Sequence, residues 1–244
     1  MERNEQMKNT KKTIVEFKDV LREYGEGDGK QIAVNHVSFT IEEGEFVVIL
    51  GQSGAGKSTV LNMLGGMDKP TSGNVLVDGA DVSKMDDKEL SEYRAEKIGF
   101  IFQFYNLIPS LTAYENVALT KNIVKHALPP MEMLEKVGLK SHARKFPTQM
   151  SGGEQQRISI ARALAKNPKI LLGDEPTGAL DSETGVTVLK LLLDMSHNNG
   201  NTVILVTHNA DIAKCADKVI RMKNGKIREV IQNEKPLSVE EVEW

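Results

Sequence analysis

The sequence has a single cysteine, no excess of basic charge and no long apolar run. Cys215 stands alone among 244 residues, so no disulfide can form within the chain, and a reducing compartment is the simplest setting. No Cys–His arrangement supports a thiol catalyst, and Cys215 reads as a small buried residue. Lysine and arginine total 31 against 34 aspartate and glutamate, a net charge of −3, which offers no whole-chain case for nucleic-acid binding. The best apolar stretches, Phe46–Leu50 and Leu189–Leu193, fall far short of the ~20 residues that span a bilayer. The chain is therefore expected to sit against a membrane at most. Met1–Lys12 is polar and lacks an apolar segment, so it reads as a disordered lead-in and not a signal peptide. No internal repeat and no low-complexity segment is visible.

What is present suits a globular chain. Hydrophobic residues make up 40% and charged residues 27%, ordinary for such a fold, and the length allows one large domain or two small ones. Thr13–Val20 and Ile32–Ile41 alternate apolar and polar residues, as half-buried strands do. Between them lies the glycine-rich, charged loop Gly25–Lys30. Phe46–Leu50 is apolar throughout, and the texture returns at Ile170–Leu172 and Val203–Val206. Such runs suit strands buried on both faces of a parallel sheet. Helical stretches separate them at Lys57–Leu64, Glu154–Lys166 and Thr184–His197, so an α/β core is expected. Gly73–Val82 alternates again and belongs with the early antiparallel strands. Leu111–Pro147 reads as helical, with a capping box at Thr112-x-x-Glu115 and Pro130 in a first helical turn. Asn224-Gly225 between two short apolar runs predicts a hairpin. The polar, acidic stretch Ile231–Trp244 is a tail, with a short helix from Ser238 as one outcome.

Three strand ends carry the chemistry. Gly51-Gln52-Ser53-Gly54-Ala55-Gly56-Lys57-Ser58-Thr59 fits the phosphate-binding loop G-x-x-x-x-G-K-[ST], and it follows a buried strand and opens a helix as that motif requires. Backbone N–H groups and the helix N-terminus would hold phosphate oxygens. Lys57 would reach the terminal phosphates, and Ser58 would ligate Mg²⁺. The strand Ile170–Leu172 ends in Gly173-Asp174-Glu175. Alone this is an ordinary acidic turn; beside a phosphate loop, Asp174 suits the metal, and Glu175 suits the attacking water. The strand Val203–Val206 ends in Thr207-His208. A lone histidine is more often structural. In open α/β sheets, however, ligands bind at the carboxyl ends of strands, and there His208 would hold the γ-phosphate or the water. Ser151-Gly152-Gly153-Glu154 opens another helix. The spacing is that of a capping box, but two glycines in a first turn cost up to ~1 kcal/mol each if fully helical, and imply that something, such as a second phosphate group, approaches the backbone closely; both readings can hold together.

Six motifs in order resemble the ATP-binding cassette (ABC) proteins over roughly Ile14 to Val230. They are the phosphate loop, Gln103 after Ile98–Phe102, Ser151–Gln155, Ile170–Glu175, Ala179-Leu180-Asp181, and His208. The resemblance implies a P-loop NTPase core with a mostly parallel sheet, an antiparallel β-subdomain and a helical subdomain at about 104–150, all within a domain at 13–230, with a tail at 231–244. It implies ATP and Mg²⁺ as ligands and ATP hydrolysis as the activity. Tyr24 matches the aromatic that stacks on adenine, against the plainer reading of a strand-end tyrosine. Gln103 would contact Mg²⁺ and the water. Ser151, Gly152, Gly153, Glu154 and Asp181 would serve the nucleotide of a second copy, packed head to tail with two-fold symmetry.

Finer features resemble one bacterial subgroup, the macrolide-export, lipoprotein-release, antimicrobial-peptide-resistance and cell-division type. They are Tyr24–Lys30, Phe100–Leu107, Ser151–Arg157 and Asp174–Asp181. That subgroup implies a separate integral-membrane permease docking near Gln103 and Leu111–Pro147. It also implies a peripheral position on the cytoplasmic face of the membrane, and no nucleic-acid partner. The alternative is a regulatory cassette that drives a membrane complex without moving a substrate, as in the cell-division relatives.

Overall fold

The computed structural model describes residues 12–242. The lead-in therefore lies outside the described residues, apart from Lys12. The central sheet has six strands in the order β10-β9-β3-β8-β7-β6. Five are parallel: β3 (Phe46–Leu50), β6 (Ile98–Ile101), β7 (Ile170–Asp174), β8 (Thr202–Thr207) and β9 (Lys218–Lys223). The edge strand β10 (Lys226–Gln232) runs antiparallel to β9. The turn between them is Asn224-Gly225 with φ of 50° and 72°, the two left-handed residues that a tight hairpin demands.

The apolar runs are buried on both faces because successive side chains enter different cores. Phe46 and Val48 of β3, Leu171 of β7 and Val203 and Leu205 of β8 pack on one side with α5 (Gly152–Ala165) and α6 (Ser182–His197). Val47, Ile49, Leu172, Ile204 and Val206 pack on the other with α1 (Lys57–Leu64) and a second sheet. That sheet is antiparallel in the order β2-β1-β4-β5, built from β1 (Thr13–Tyr24), β2 (Gln31–Glu42), β4 (Ser72–Val77) and β5 (Ala80–Asp81). The strand expected at Thr13–Val20 thus runs on to Tyr24, and Val82 leaves the sheet in a short 3-10 turn.

The region expected to be helical holds α3 (Ala113–Ala118) and α4 (Pro130–Lys136), with one 3-10 turn, Leu119–Asn122, between them and two more, Lys140–His142 and Pro147–Gln149, after α4. Both bonds of the Thr112–Glu115 capping box form, and Pro130 is the first residue of α4. The buried Asn116 side chain ties down the incoming loop by bonding Ile108 and the carbonyls of Leu111 and Thr112. Helix α2 (Asp87–Glu96) has no clear apolar periodicity; it is set by the Asp86–Glu89 capping box and by Leu90 and Tyr93 alone. The short α7 (Ala210–Lys214) follows β8. The short helix that could start from Ser238 is a single 3-10 turn, Val239–Glu241, with Ser238 at its N-cap. Val239 and Val242 are buried, and Glu240 pairs with Lys190 of α6 at 2.6 Å.

Asp78 joins the two sheets. It sits in the β4–β5 turn at φ 49° and receives Lys12 at 2.6 Å, Lys169 at 2.7 Å and Lys97 at 3.3 Å. Those ammonium groups hold its carboxyl well below the usual range. Its contribution to stability is therefore present above the unfolded-state value near 4 and is lost as pH falls below it. Asp78→Asn keeps a residue that tolerates the left-handed backbone. It is expected to cost about 1–2 kcal/mol in urea unfolding at pH 7, with the gap from the parent chain narrowing by pH 3.

Candidate active site

The phosphate loop leaves β3 and enters α1 without a capping side chain. Its last glycine, Gly56, is the N-cap at φ 95°, and a Cβ there would lie 2.3 Å from the Ala33 carbonyl oxygen. Glycine is thus required twice over, by conformation and by space. With no side chain capping α1, its first-turn N–H groups remain available to an anion. Lys57 is buried, and its Nζ donates to the Gln52 carbonyl at 3.0 Å.

Two further strand ends meet it. Asp174 is the last residue of β7, and Ser58 Oγ donates to its Oδ1 at 3.3 Å. Burial pushes the Asp174 carboxyl upward and the charge of Glu175 adds to this, while the Ser58 hydroxyl and Lys57 act the other way. Glu175 follows in the left-handed region at φ 46°, a conformation that costs a non-glycine residue energy and is held by its surroundings. Its Oε2 accepts from Thr207 Oγ1 at 3.0 Å. Its Oε1 accepts from the His208 backbone N–H at 3.1 Å and lies 2.9 Å from His208 Nδ1. The His208 ring is otherwise largely exposed.

Gln103 and Tyr24 complete the rim. A cleft of about 600 Å³ is lined by Tyr24, Ile32, Lys57, Ser58, Gln103, Asp174, Glu175 and His208, among others. Gln103 lies just past β6, and α5 grips its loop: Gln156 Nε2 donates to the Phe102 carbonyl at 3.4 Å, and Arg162 donates to the carbonyls of Asn106 and Tyr105 at 2.7 and 3.0 Å. Tyr24 ends β1. Arg22 lies 4.4 Å over its ring, and its hydroxyl donates to Asp68 at 2.5 Å.

Most of the residues expected to serve the chain's own nucleotide therefore meet in this cleft, Gly51, Gln52 and Ala55 of the loop line a neighbouring pocket, and Ser151, Gly152, Gly153, Glu154 and Asp181 line neither. Ser151 caps α5 in the expected box, with Glu154 answering at 2.7 Å and pairing with His142 at 3.0 Å. The backbone N–H of Ser151 holds the Glu154 carboxyl below its ordinary value. The glycine pair has a cause inside the chain. A Cβ on Gly152 would meet the Tyr105 hydroxyl at 2.7 Å, and one on Gly153 would meet Thr184 Cγ2 at 2.1 Å. Within the chain the space beside these glycines is taken by neighbouring side chains and not by a phosphate group as expected from sequence. Asp181 caps α6, accepting from the Thr184 N–H and hydroxyl at 3.0 and 2.9 Å. Sequence reasoning missed Thr207, Arg22, Asp68, Gln156 and Arg162. Arg22 could have been found, since residues two apart share a strand face; Asp68 carries no local signal.

Known proteins share this architecture. The chain is 42% identical over 226 residues to an uncharacterised ABC transporter ATP-binding protein of Mycobacterium tuberculosis, covering 91% of each. It is 45% identical over 219 residues to the macrolide export ATP-binding/permease protein MacB of Mannheimia succiniciproducens, covering 88% of this chain but 34% of that one. A solved dimeric structure of a post-hydrolysis state of the ATP-binding cassette MJ0796, bound to ADP and Pi, superposes with a TM-score of 0.83 at 42% identity, covering 90% of this chain and 98% of that chain. MJ0796 is an ABC transporter ATP-binding protein of Methanocaldococcus jannaschii. The ABC transporter family model matches residues 34–178, and with the P-loop NTPase core and strand-end cleft described above, the chain belongs to the ABC transporter family as an ATP-binding cassette.

Proposed function

We propose that this chain hydrolyses ATP as the catalytic subunit of a bacterial transporter, closing head to tail on a second copy and driving a separate permease at the cytoplasmic face of the membrane. The observation that carries the reading is the meeting of Lys57, Ser58, Gln103, Asp174, Glu175 and His208 in one cleft. Tyr24 would stack on adenine, and residues 51–59 would hold the phosphates. Ser58 and Asp174 suit Mg²⁺, with Gln103 beside them. Their hydroxyl and half-buried carboxylate are 3.3 Å apart, and a cation would relieve the cost of burying that charge. Among the described residues no group of three or more His, Cys, Asp or Glu could hold a metal. Mg²⁺ needs no such cage, since phosphate oxygens and water complete its shell. When bound it would offset the charge on the phosphates. Glu175, oriented by Thr207 and His208, would accept the proton of the water that attacks the γ-phosphorus, with ADP leaving.

The dimer reading draws support from the MJ0796 cassette, solved as a dimer, and from the exposed position of Ser151 at the start of α5. A two-fold pairing would bring Ser151–Glu154 and Asp181 to the partner's nucleotide. Phe104 is 76% exposed, with Ile108 and Phe146 also exposed. Apolar surface in the Gln103 loop and the helical region supports permease docking there. Among the described residues no helix is long and apolar enough to cross a membrane. The subgroup reading, with a permease that transmits motion to extract or export a substrate, rests on the sequence resemblance and on the MacB relative.

Three substitutions test the assignment. Glu175→Gln is expected to lower ATP turnover by about 10²–10⁴ while retaining ATP binding, and to elute as an ATP-trapped dimer on size exclusion. Turnover at the parental rate would remove Glu175 from its role. Lys57→Ala is expected to weaken ATP binding by about 10- to 100-fold in calorimetry. Ser151→Arg is expected to block hydrolysis with the monomer's ATP affinity unchanged; a loss of that affinity would place Ser151 at its own nucleotide and sink the trans reading.

A further inference from the structure

We infer that Arg22 and Asp68 are positioning residues for the nucleobase: they hold the Tyr24 ring as a one-sided stacking platform and set its place relative to the phosphate loop. The inference rests on the proposed adenine role of Tyr24. A tyrosine at a strand end, 40% exposed, would by itself turn among rotamers, and ordering it on binding would cost affinity. Here it is held beforehand. The Arg22 guanidinium carbon sits 4.4 Å from the ring centroid, within the range of a cation–π contact. That face is occupied, so a base can stack only on the other.

Arg22 is itself fixed. Its Nε donates to Asp68 Oδ2 at 2.9 Å and its second guanidinium nitrogen lies 2.7 Å from Oδ1, the fork geometry that specifies direction. Both side chains are largely withdrawn from solvent, at 24% and 17% exposure, so salt screens the pair less than a surface one. The Tyr24 hydroxyl donates to the same carboxylate. One carboxylate thus fixes both the ring and the cation stacked on it.

The position of Asp68 gives this a function. It lies in the turn that ends α1, where the N–H groups of Met67 and Asp68 both donate to the Asn62 carbonyl, at 2.9 and 3.3 Å. Helix α1 is the one whose N-terminus follows the phosphate loop. Its eight residues make a rigid rod of roughly 12 Å, with the phosphate cradle at one end and the ring's anchor at the other. The span between base and phosphates is then set by a helix and not by the flexibility of β1. An ion pair that merely fastened β1 to α1 would stabilise the fold and affect every ligand alike. A positioning pair affects only ligands that carry a base.

That difference is measurable. Calorimetric titrations of ATP and of inorganic tripolyphosphate would be run on the full chain, on Arg22→Gln, on Tyr24→Ala and on the double variant, with thermal unfolding as the folding control. Asp68→Asn, which keeps a partner for the hydroxyl but loses the charge, serves if Arg22→Gln does not fold. Arg22→Gln is expected to weaken ATP binding about three- to tenfold and leave tripolyphosphate unchanged. In the Tyr24→Ala background it should cause no further loss. Equal weakening of both ligands, undiminished loss in the Tyr24→Ala background, or no loss at all would overturn the clamp while leaving the base reading standing. Tyr24→Ala binding ATP with parental affinity would remove the base role and the clamp together. A parent chain that binds no ATP would overturn the nucleotide reading itself.

Discussion

The burial of β3, β7 and β8 on both faces governs this structure. Every residue of these strands except Leu50 and Asp174 is buried, so a polar side chain can leave the sheet only at an end. The strands are parallel and adjacent, pairing Leu50 with Thr207 and Asp174 with Val206. All three carboxyl ends therefore reach one edge together. Residues 51, 174 and 208, far apart in sequence, become neighbours because the strands that carry them are paired in register.

That edge holds groups the rest of the fold must stabilise. Glu175 adopts a left-handed backbone, and Asp174 is drawn partly out of water beside a second carboxylate. Neither would persist on a loose loop. The apolar strands beneath them, with the Thr207 and His208 hydrogen bonds, keep both in place. Functional geometry here is supplied by the scaffold and not by local preference.

The helices link separate parts of the edge. Helix α5 is capped by Ser151 and, farther along, grips the carbonyls of the Gln103 loop through Gln156 and Arg162. Its second residue, Gly153, packs against Thr184, which Asp181 in turn holds. The helix that Ser151 caps thus touches both the loop that carries Gln103 and Thr184, the residue held by Asp181. Helix α1 plays a like part between the phosphate loop and the carboxylate that anchors Tyr24.

Much of this was legible in the sequence, because local rules decide it. The two-sided apolar runs, the loop at residues 51–59, the Thr112 and Ser151 capping boxes and the Asn224-Gly225 hairpin depend on residues within a few positions of one another, and each formed as its local chemistry required. Helix α2 was not legible, since only Leu90 and Tyr93 turn inward and leave no periodic stripe. The glycines at 152 and 153 were read as leaving room for a second phosphate group; within the chain the atoms that come close are those of Tyr105 and Thr184, which arrive from other elements and are not encoded nearby. The same holds for Arg22, Tyr24 and Asp68, which meet because the end of β1 bonds to the turn that follows α1. The sequence by itself determined the strands, the caps and the phosphate-binding loop, through periodicity and backbone preference. Only the tertiary structure decided which side chains share a carboxylate, because such pairings depend on how the sheets and helices stack, and no local pattern records that.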